Sequence, residues 1–216
     1  SYAVNLDAIR GRTTGAVTIG NVSAVTGTAA ALNTALSATE NGSSVDAMTF
    51  TIDAAADTNP ADVNGLDTKS SVIIGAASIT DYNGAIAAMG ALEAQDTTTV
   101  TLAGNYTYEA SDTVNTEAEI NFLDAIAVDT TGAITASISG LSASDINTWL
   151  SVNTESTNAL TITPDAGTVA ATVLTALDGK TNVAIVAGSI PTITGTVAEA
   201  AAVVGAAGIA TVKSDV

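Results

Sequence analysis

Any chemistry in this chain has to come from oxygen atoms. Its 216 residues hold 22 Asp and Glu, no His, no Cys and five basic side chains: Arg10, Arg12, Lys69, Lys180 and Lys213. Imidazole base catalysis, thiol nucleophiles, structural zinc sites and disulfides are thereby excluded. The formal net charge of −17 excludes nucleic acid, whose binding needs cations that displace counterions from phosphate, and disfavours anionic membranes. Such acidity favours solubility in salty water and a loose attraction for Ca²⁺ or Mg²⁺.

Asp53, Asp57 and Asp62 cluster in a loop-like stretch with Asn59 and Pro60, the kind of segment that supplies several oxygens to a hard cation. They are the candidate metal ligands, for Ca²⁺. The alternative is a solvated acidic loop, and the missing Asp-x-Asp-x-Asp-Gly spacing favours it. Asp7, Asp67, Asp124 and Asp178 each follow a Leu and read as side-chain acceptors for turn amides, with serial cation binding as the alternative. Hydrolysis of a sugar chain needs two carboxyls flanking an aromatic-lined cleft. The aromatic supply is thin: Trp149 is the only Trp, and the tyrosines are Tyr2, Tyr82, Tyr106 and Tyr108. Tyr106 and Tyr108 share a strand face and suit either a sugar or local packing, packing being preferred. Trp149 with Leu150 reads as helix core. Gly179-Lys180-Thr181 has the ending of a phosphate loop, but Leu174 stands where the upstream Gly belongs and a helix precedes it. The sequons at Asn21, Asn41 and Asn105 are what chance gives in an Asn- and Thr-rich chain. No residue is assigned to catalysis or to a cofactor, and the chain is expected not to be an enzyme.

The elements that position these residues follow from an unusual alphabet. Apolar residues make up 47%, aromatics 3% and charged residues 12%, against roughly 25% charged in ordinary domains. The chain should fold around thin layers of Ala, Val, Ile and Leu. Leu-Asp recurs at Leu6, Leu66, Leu123 and Leu177, with Ala-rich segments centred halfway between on Leu36, Leu92, Leu150 and Val204. The cadence predicts a repeat of about 27 to 30 residues. Each repeat reads as a short helix, a polar or Gly-containing turn and a β-branched strand. The predicted helices are Thr28 to Leu36, Ala85 to Leu92, Glu117 to Ile126, Val169 to Leu177 and Val197 to Val204, with Thr28, Thr168 and Ser144-Asp145 as N-caps. The predicted strands are Val17 to Ile19, Met48 to Ile52, Val72 to Ile74, Thr99 to Leu102, Ile134 to Ile138, Leu160 to Thr163, Val183 to Val186 and Ile209 to Val212. Elements this short bury their apolar faces only by stacking in register. The expected fold is therefore α/β: an elongated solenoid of about eight helix-plus-strand repeats with a parallel β-sheet, one repeat domain over residues 1–216. A conventional α/β sandwich, or two domains meeting near Thr113, is the rival.

Leu123-Asp124-Ala125-Ile126 followed by Thr130-Thr131-Gly132-Ala133-Ile134-Thr135-Ala136-Ser137-Ile138-Ser139-Gly140, and Thr194-Gly195-Thr196-Val197-Ala198-Glu199-Ala200-Ala201, resemble the degenerate Leu-Asp/Thr-Thr-Gly repeat regions of very large secreted surface or adhesin-like proteins of cyanobacteria and marine proteobacteria. The resemblance covers most of the chain and implies an extracellular, cell-surface structural role. The glycine-rich calcium nonapeptide of such proteins does not occur here. The expected partners are adjacent repeats or copies of the chain itself, at open sheet edges, with surface polysaccharide as a further partner. The expected function is a surface layer, adhesin stalk or filament. The alternatives are a phage fibre or virion component and a polysaccharide-binding or -degrading β-solenoid. No signal peptide and no membrane span are visible.

Overall fold

Helices of seven to nine residues are too short to be stable in water by themselves, so what covers each one decides whether it forms. A computed structural model describes residues 24–36, 49–151 and 157–210, together with Ala8 and Arg12. The Leu6-Asp7 anchor, the strand expected at Val17 to Ile19, and the sequons at Asn21 and Asn41 lie outside the described residues. Within them, seven helices and twelve short strands form a mixed α/β fold with parallel sheets. The chain divides into two units, Ser1–Thr107 and Tyr108–Val216.

In the first unit the chain order is β1 (Ala24–Gly27), α1 (Ala29–Leu36), β2 (Thr49–Ile52), α2 (Pro60–Asp67), β3 (Ile74–Gly75), β4 (Asp81–Gly84), α3 (Ile86–Glu93) and β5 (Val100–Thr101). Strands β1, β2, β3 and β5 lie side by side in that order. Ala24 stands opposite Thr49, Thr51 opposite Gly75, and Ile74 opposite Val100, so partners are 24 to 26 residues apart. Alternation in β2 sends Phe50 and Ile52 inward and leaves Thr49 and Thr51 exposed. Helix α1 packs on α2 and α2 on α3, burying Leu32, Leu36, Val63, Leu66, Met89 and Leu92. Gly65 permits the close approach of α1 and α2, since a Cβ there would fall 2.6 Å from Asn33 Oδ1.

The second unit takes in β6 (Thr107–Val114), α4 (Glu117–Asp129), β7 (Ile134–Ser139), α5 (Ala143–Trp149), β8 (Ala159–Thr163), β9 (Thr168–Ala170), α6 (Ala171–Asp178), β10 (Ile185–Val186), β11 (Thr192–Thr194), α7 (Val197–Gly205) and β12 (Ile209–Ala210). Strand β7 pairs with β6 and β8, β9 with β11, and β10 with β12. Thr135 faces Ala159, Thr168 faces Thr192 and Ile185 faces Ile209, each 24 residues on. Ile134, Ala136 and Ile138 of β7 are buried while Thr135 and Ser137 are exposed, the Thr-rich outer face that alternation requires. Helices α4, α5, α6 and α7 pack each on the next.

Helix starts separate two strategies. Thr116 caps α4 and Thr196 caps α7, each in a reciprocal capping box with Glu119 or Glu199. Asn59 caps α2, with Pro60 in its first turn. By contrast α3 and α6 run straight on from extended Ala85 and Ala170, with no side-chain cap.

Several expectations are corrected. The helix expected from Val169 begins at Ala171, because Thr168–Ala170 pairs as a strand. Helix α2 replaces what read as a loop, and the cap of α5 is Ser142, not Ser144 or Asp145. Strands β3, β5 and β10 are two residues each, shorter than the β-branched runs that marked them.

Candidate functional site

Asp53 follows β2 on the surface, and its N–H donates to Gly27 O at 2.9 Å. Exposed Asp57 lies in the turn before α2 at φ 54°, a left-handed conformation that Asp tolerates better than most residues. Its N–H donates to Asp81 Oδ2 at 3.3 Å. Asp62 stands in the first turn of α2, where the helix dipole favours a carboxylate, and accepts from Asn33 Nδ2 of α1 at 3.2 Å. Among the described residues no three Asp or Glu side chains gather into a group that could hold a metal ion. Asp53, Asp57 and Asp62 are therefore not brought together; one extends a ladder, one shapes a turn and one ties two helices.

The described Leu-Asp pairs, Leu66-Asp67, Leu123-Asp124 and Leu177-Asp178, lie in helices. Leu66, Leu123 and Leu177 are all fully buried, on α2, α4 and α6. Asp124 is buried, and its Oδ2 accepts from both the N–H and the Oγ of Ser151, each at 2.8 Å. Beside it, Lys180 Nζ donates to Asn147 O at 3.2 Å and to Leu150 O. Burial pushes the Lys180 pKa down, and the Asp124 charge opposes that shift. The ammonium thus neutralises the carbonyl end of α5, and one polar joint spans α4, α5 and the end of α6. Thr181 Oγ1 accepts from the N–H of Leu160 at 2.9 Å and of Val183 at 3.1 Å. Gly179-Lys180-Thr181 is a structural link between turns and no phosphate cradle.

The described tyrosines are core. Tyr82, Tyr106 and Tyr108 are at most 1% exposed, so the reading of Tyr106 and Tyr108 as a sugar platform gives way to packing. In the first unit, the Tyr82 and Tyr106 rings meet edge-on at 5.4 Å, and the Tyr106 hydroxyl donates to Glu93 Oε1. Burial, then the charges of Glu93 and Asp96, push the Tyr82 pKa up; burial, then Asp112, does the same for Tyr108. Trp149, expected in the helix core, is only partly buried at the end of α5, and Leu150 after it is fully buried.

What recurs is a set of polar ties between segments about 25 residues apart. Asn64 Nδ2 donates to Ala88 O at 2.8 Å, Ser78 Oγ to Ile52 O at 2.8 Å, Ile134 N–H to Asn158 Oδ1 at 3.0 Å and Ser189 Oγ to Pro164 O at 2.9 Å. Their partners are 24 to 26 residues apart, the interval of the strand register. The sequence reading missed these residues; an Asn or Ser about 25 residues away from a buried segment was the available signal. The chain matches no protein-family model, no curated protein and no solved structure. Among the described residues no helix is long and apolar enough to cross a membrane.

Proposed function

We propose that this chain is a structural protein, a solenoid of stacked strand-and-helix turns that builds an extracellular surface layer, adhesin stalk or filament of a bacterium and performs no catalysis. The observation that carries the reading is the register. In each unit a strand residue faces the residue one turn later, 24 to 26 positions along the chain. First helical residues recur at the similar intervals of 26 to 31. Each turn then finds its cover in its neighbours, which is how repeat proteins distribute stability. Polar side chains such as Asn64, Ser78, Asn158 and Ser189 tie one turn to the next, and the rings of Tyr82, Tyr106 and Tyr108 are buried. The resemblance to the repeat regions of very large secreted surface proteins supplies the bacterial and extracellular setting. Adjacent repeats or further copies of the chain are the partners of this reading.

Immunogold electron microscopy of the source cells tests the role. Label on the outer surface or on shed filaments is expected; label confined to the cytoplasm contradicts it.

A further inference from the structure

Burial in the first unit leaves two side-chain oxygens close in sequence or field without a hydrogen-bond partner: the Tyr82 hydroxyl and Gln95 Oε1. Tyr82 is fully buried on β4, and Gln95 lies in the turn after α3. A buried oxygen left unpaired is costly, so both mark an interaction that the chain by itself does not complete. Two carboxylates stand with them. Glu93 ends α3, and its Oε1 accepts from the Tyr106 hydroxyl, whose ring meets that of Tyr82 edge-on. Asp96 lies three residues on, and its Oδ1 accepts from the Leu102 N–H at 2.8 Å. Behind burial, the charges of Glu93 and Asp96 push the Tyr82 pKa up, so the unpaired hydroxyl faces that carboxylate pair. The Gln95 carbonyl fixes the turn by accepting from the N–H groups of Thr98, Thr99 and Val100 at 3.0, 3.1 and 3.2 Å. Glu93, Gln95 and Asp96 are all half-buried.

We propose that Glu93, Gln95 Oε1 and Asp96 bind a calcium ion, with the Tyr82 hydroxyl beside it completing the polar shell. The donors are all oxygen, which selects a hard cation over zinc or copper. The two carboxylates supply the charge and exclude an anion. An amide oxygen and waters fill the rest of the irregular shell of about six to eight ligands that Ca²⁺ accepts, whereas Mg²⁺ demands a near-ideal octahedron. Neutral oxygens complete this set, so it differs from the groups of three acidic side chains that are absent among the described residues. A water in the same place would pair with both orphaned oxygens but leave the carboxylate charges as they are, and the test separates the two occupants. The site is independent of the structural role proposed above.

The test is terbium luminescence of the full chain, because Tb³⁺ occupies Ca²⁺ sites and is excited through a nearby aromatic ring. Titrations are run in about 0.15 M NaCl, where exposed charges more than roughly 8 Å apart are largely screened, and Ca²⁺ is then added in competition. Expected is a saturable signal that Ca²⁺ reverses. Asp96→Asn, whose amide oxygen still accepts from Leu102, should weaken the affinity by about tenfold or more, since affinity follows ligand charge. Glu93→Gln, whose amide oxygen still accepts from Tyr106, should do the same. Asp57→Asn, in the same unit, should leave the affinity unchanged. Calcium should also raise the melting temperature of the parent chain and not that of Asp96→Asn. The proposal is overturned by the absence of a saturable signal, which is the outcome for a water alone. It is equally overturned by a signal that Asp57→Asn weakens as much as Asp96→Asn, which is the outcome for loose attraction to an acidic surface. Should Asp96→Asn misfold, Glu93→Gln carries the same test.

Discussion

Helices α6 and α7 are neighbours of almost equal length and similar composition, and they meet opposite fates. Helix α6 buries Ala171, Leu174 and Leu177, because α5 covers it from one side and α7 from the other. Helix α7 buries Val203. The difference lies in neighbours and not in apolar content. It also extends to how each helix begins: α6 starts from Ala170 without a side-chain cap, whereas α7 starts with the Thr196–Glu199 capping box.

The sharpest way to break that comparison is to cut one buried and one exposed apolar side chain. Leu174→Ala should lower stability by about 2–5 kcal/mol, the range for a buried Leu that leaves a cavity, whereas Val204→Ala should stay within about 0.5 kcal/mol. Urea titrations of both variants measure the contrast, and equal losses would refute it. A smaller effect is expected at the polar joint. Asp124→Ala deprives the Ser151 N–H and Oγ of their shared acceptor and should cost about 1–3 kcal/mol. The same titration in a Ser151→Ala background should show the two changes to be non-additive.

Smaller again is the loss of the α7 cap. Thr196→Ala should cost about 1 kcal/mol, read as faster amide exchange in the first turn of α7 and little change elsewhere. The smallest expected effect is its pH dependence. The Thr196 backbone N–H, then its hydroxyl, hold the Glu199 carboxyl below its ordinary value near 4.5. A depressed folded-state pKa means that the contribution is fully present above about pH 4.5 and is lost as pH falls through the lower folded value. Acidification from pH 6 to pH 3 should therefore loosen the first turn of α7 in the parent chain and much less in Glu199→Gln.

Helices and strands were legible where their anchors are apolar and local. Leu66, Leu123 and Leu177 mark helices with the same buried role, and the β-branched alternation of Ile134 to Ile138 gave β7 nearly residue for residue. Helix α2 was not legible, since Asn59 and Pro60 read as loop punctuation although the same pair forms an N-cap and first helical position. Alternation put Tyr106 and Tyr108 on strand faces, but a period of two does not say which face will be covered. The Asp124, Ser151 and Lys180 joint depends on residues far apart in sequence, and only the packing of α4, α5 and α6 brings them together. Val204, expected by cadence to match Leu36, Leu92 and Leu150, is exposed where those three are buried; the neighbours of a side chain decide whether it is covered.

Removing one turn asks most directly whether the chain folds by stacking interchangeable turns. Deleting the 24 residues Ala159–Asn182 joins Asn158 to Val183 in register, because the Asn182 N–H already donates to Asn158 O. Thermal unfolding followed by circular dichroism should show a cooperative, somewhat less stable protein, whereas deleting Ala159–Ala170, half a turn, should abolish the transition. If the whole-turn and half-turn deletions unfold alike, the turns are not independent units and stacking does not hold this protein together.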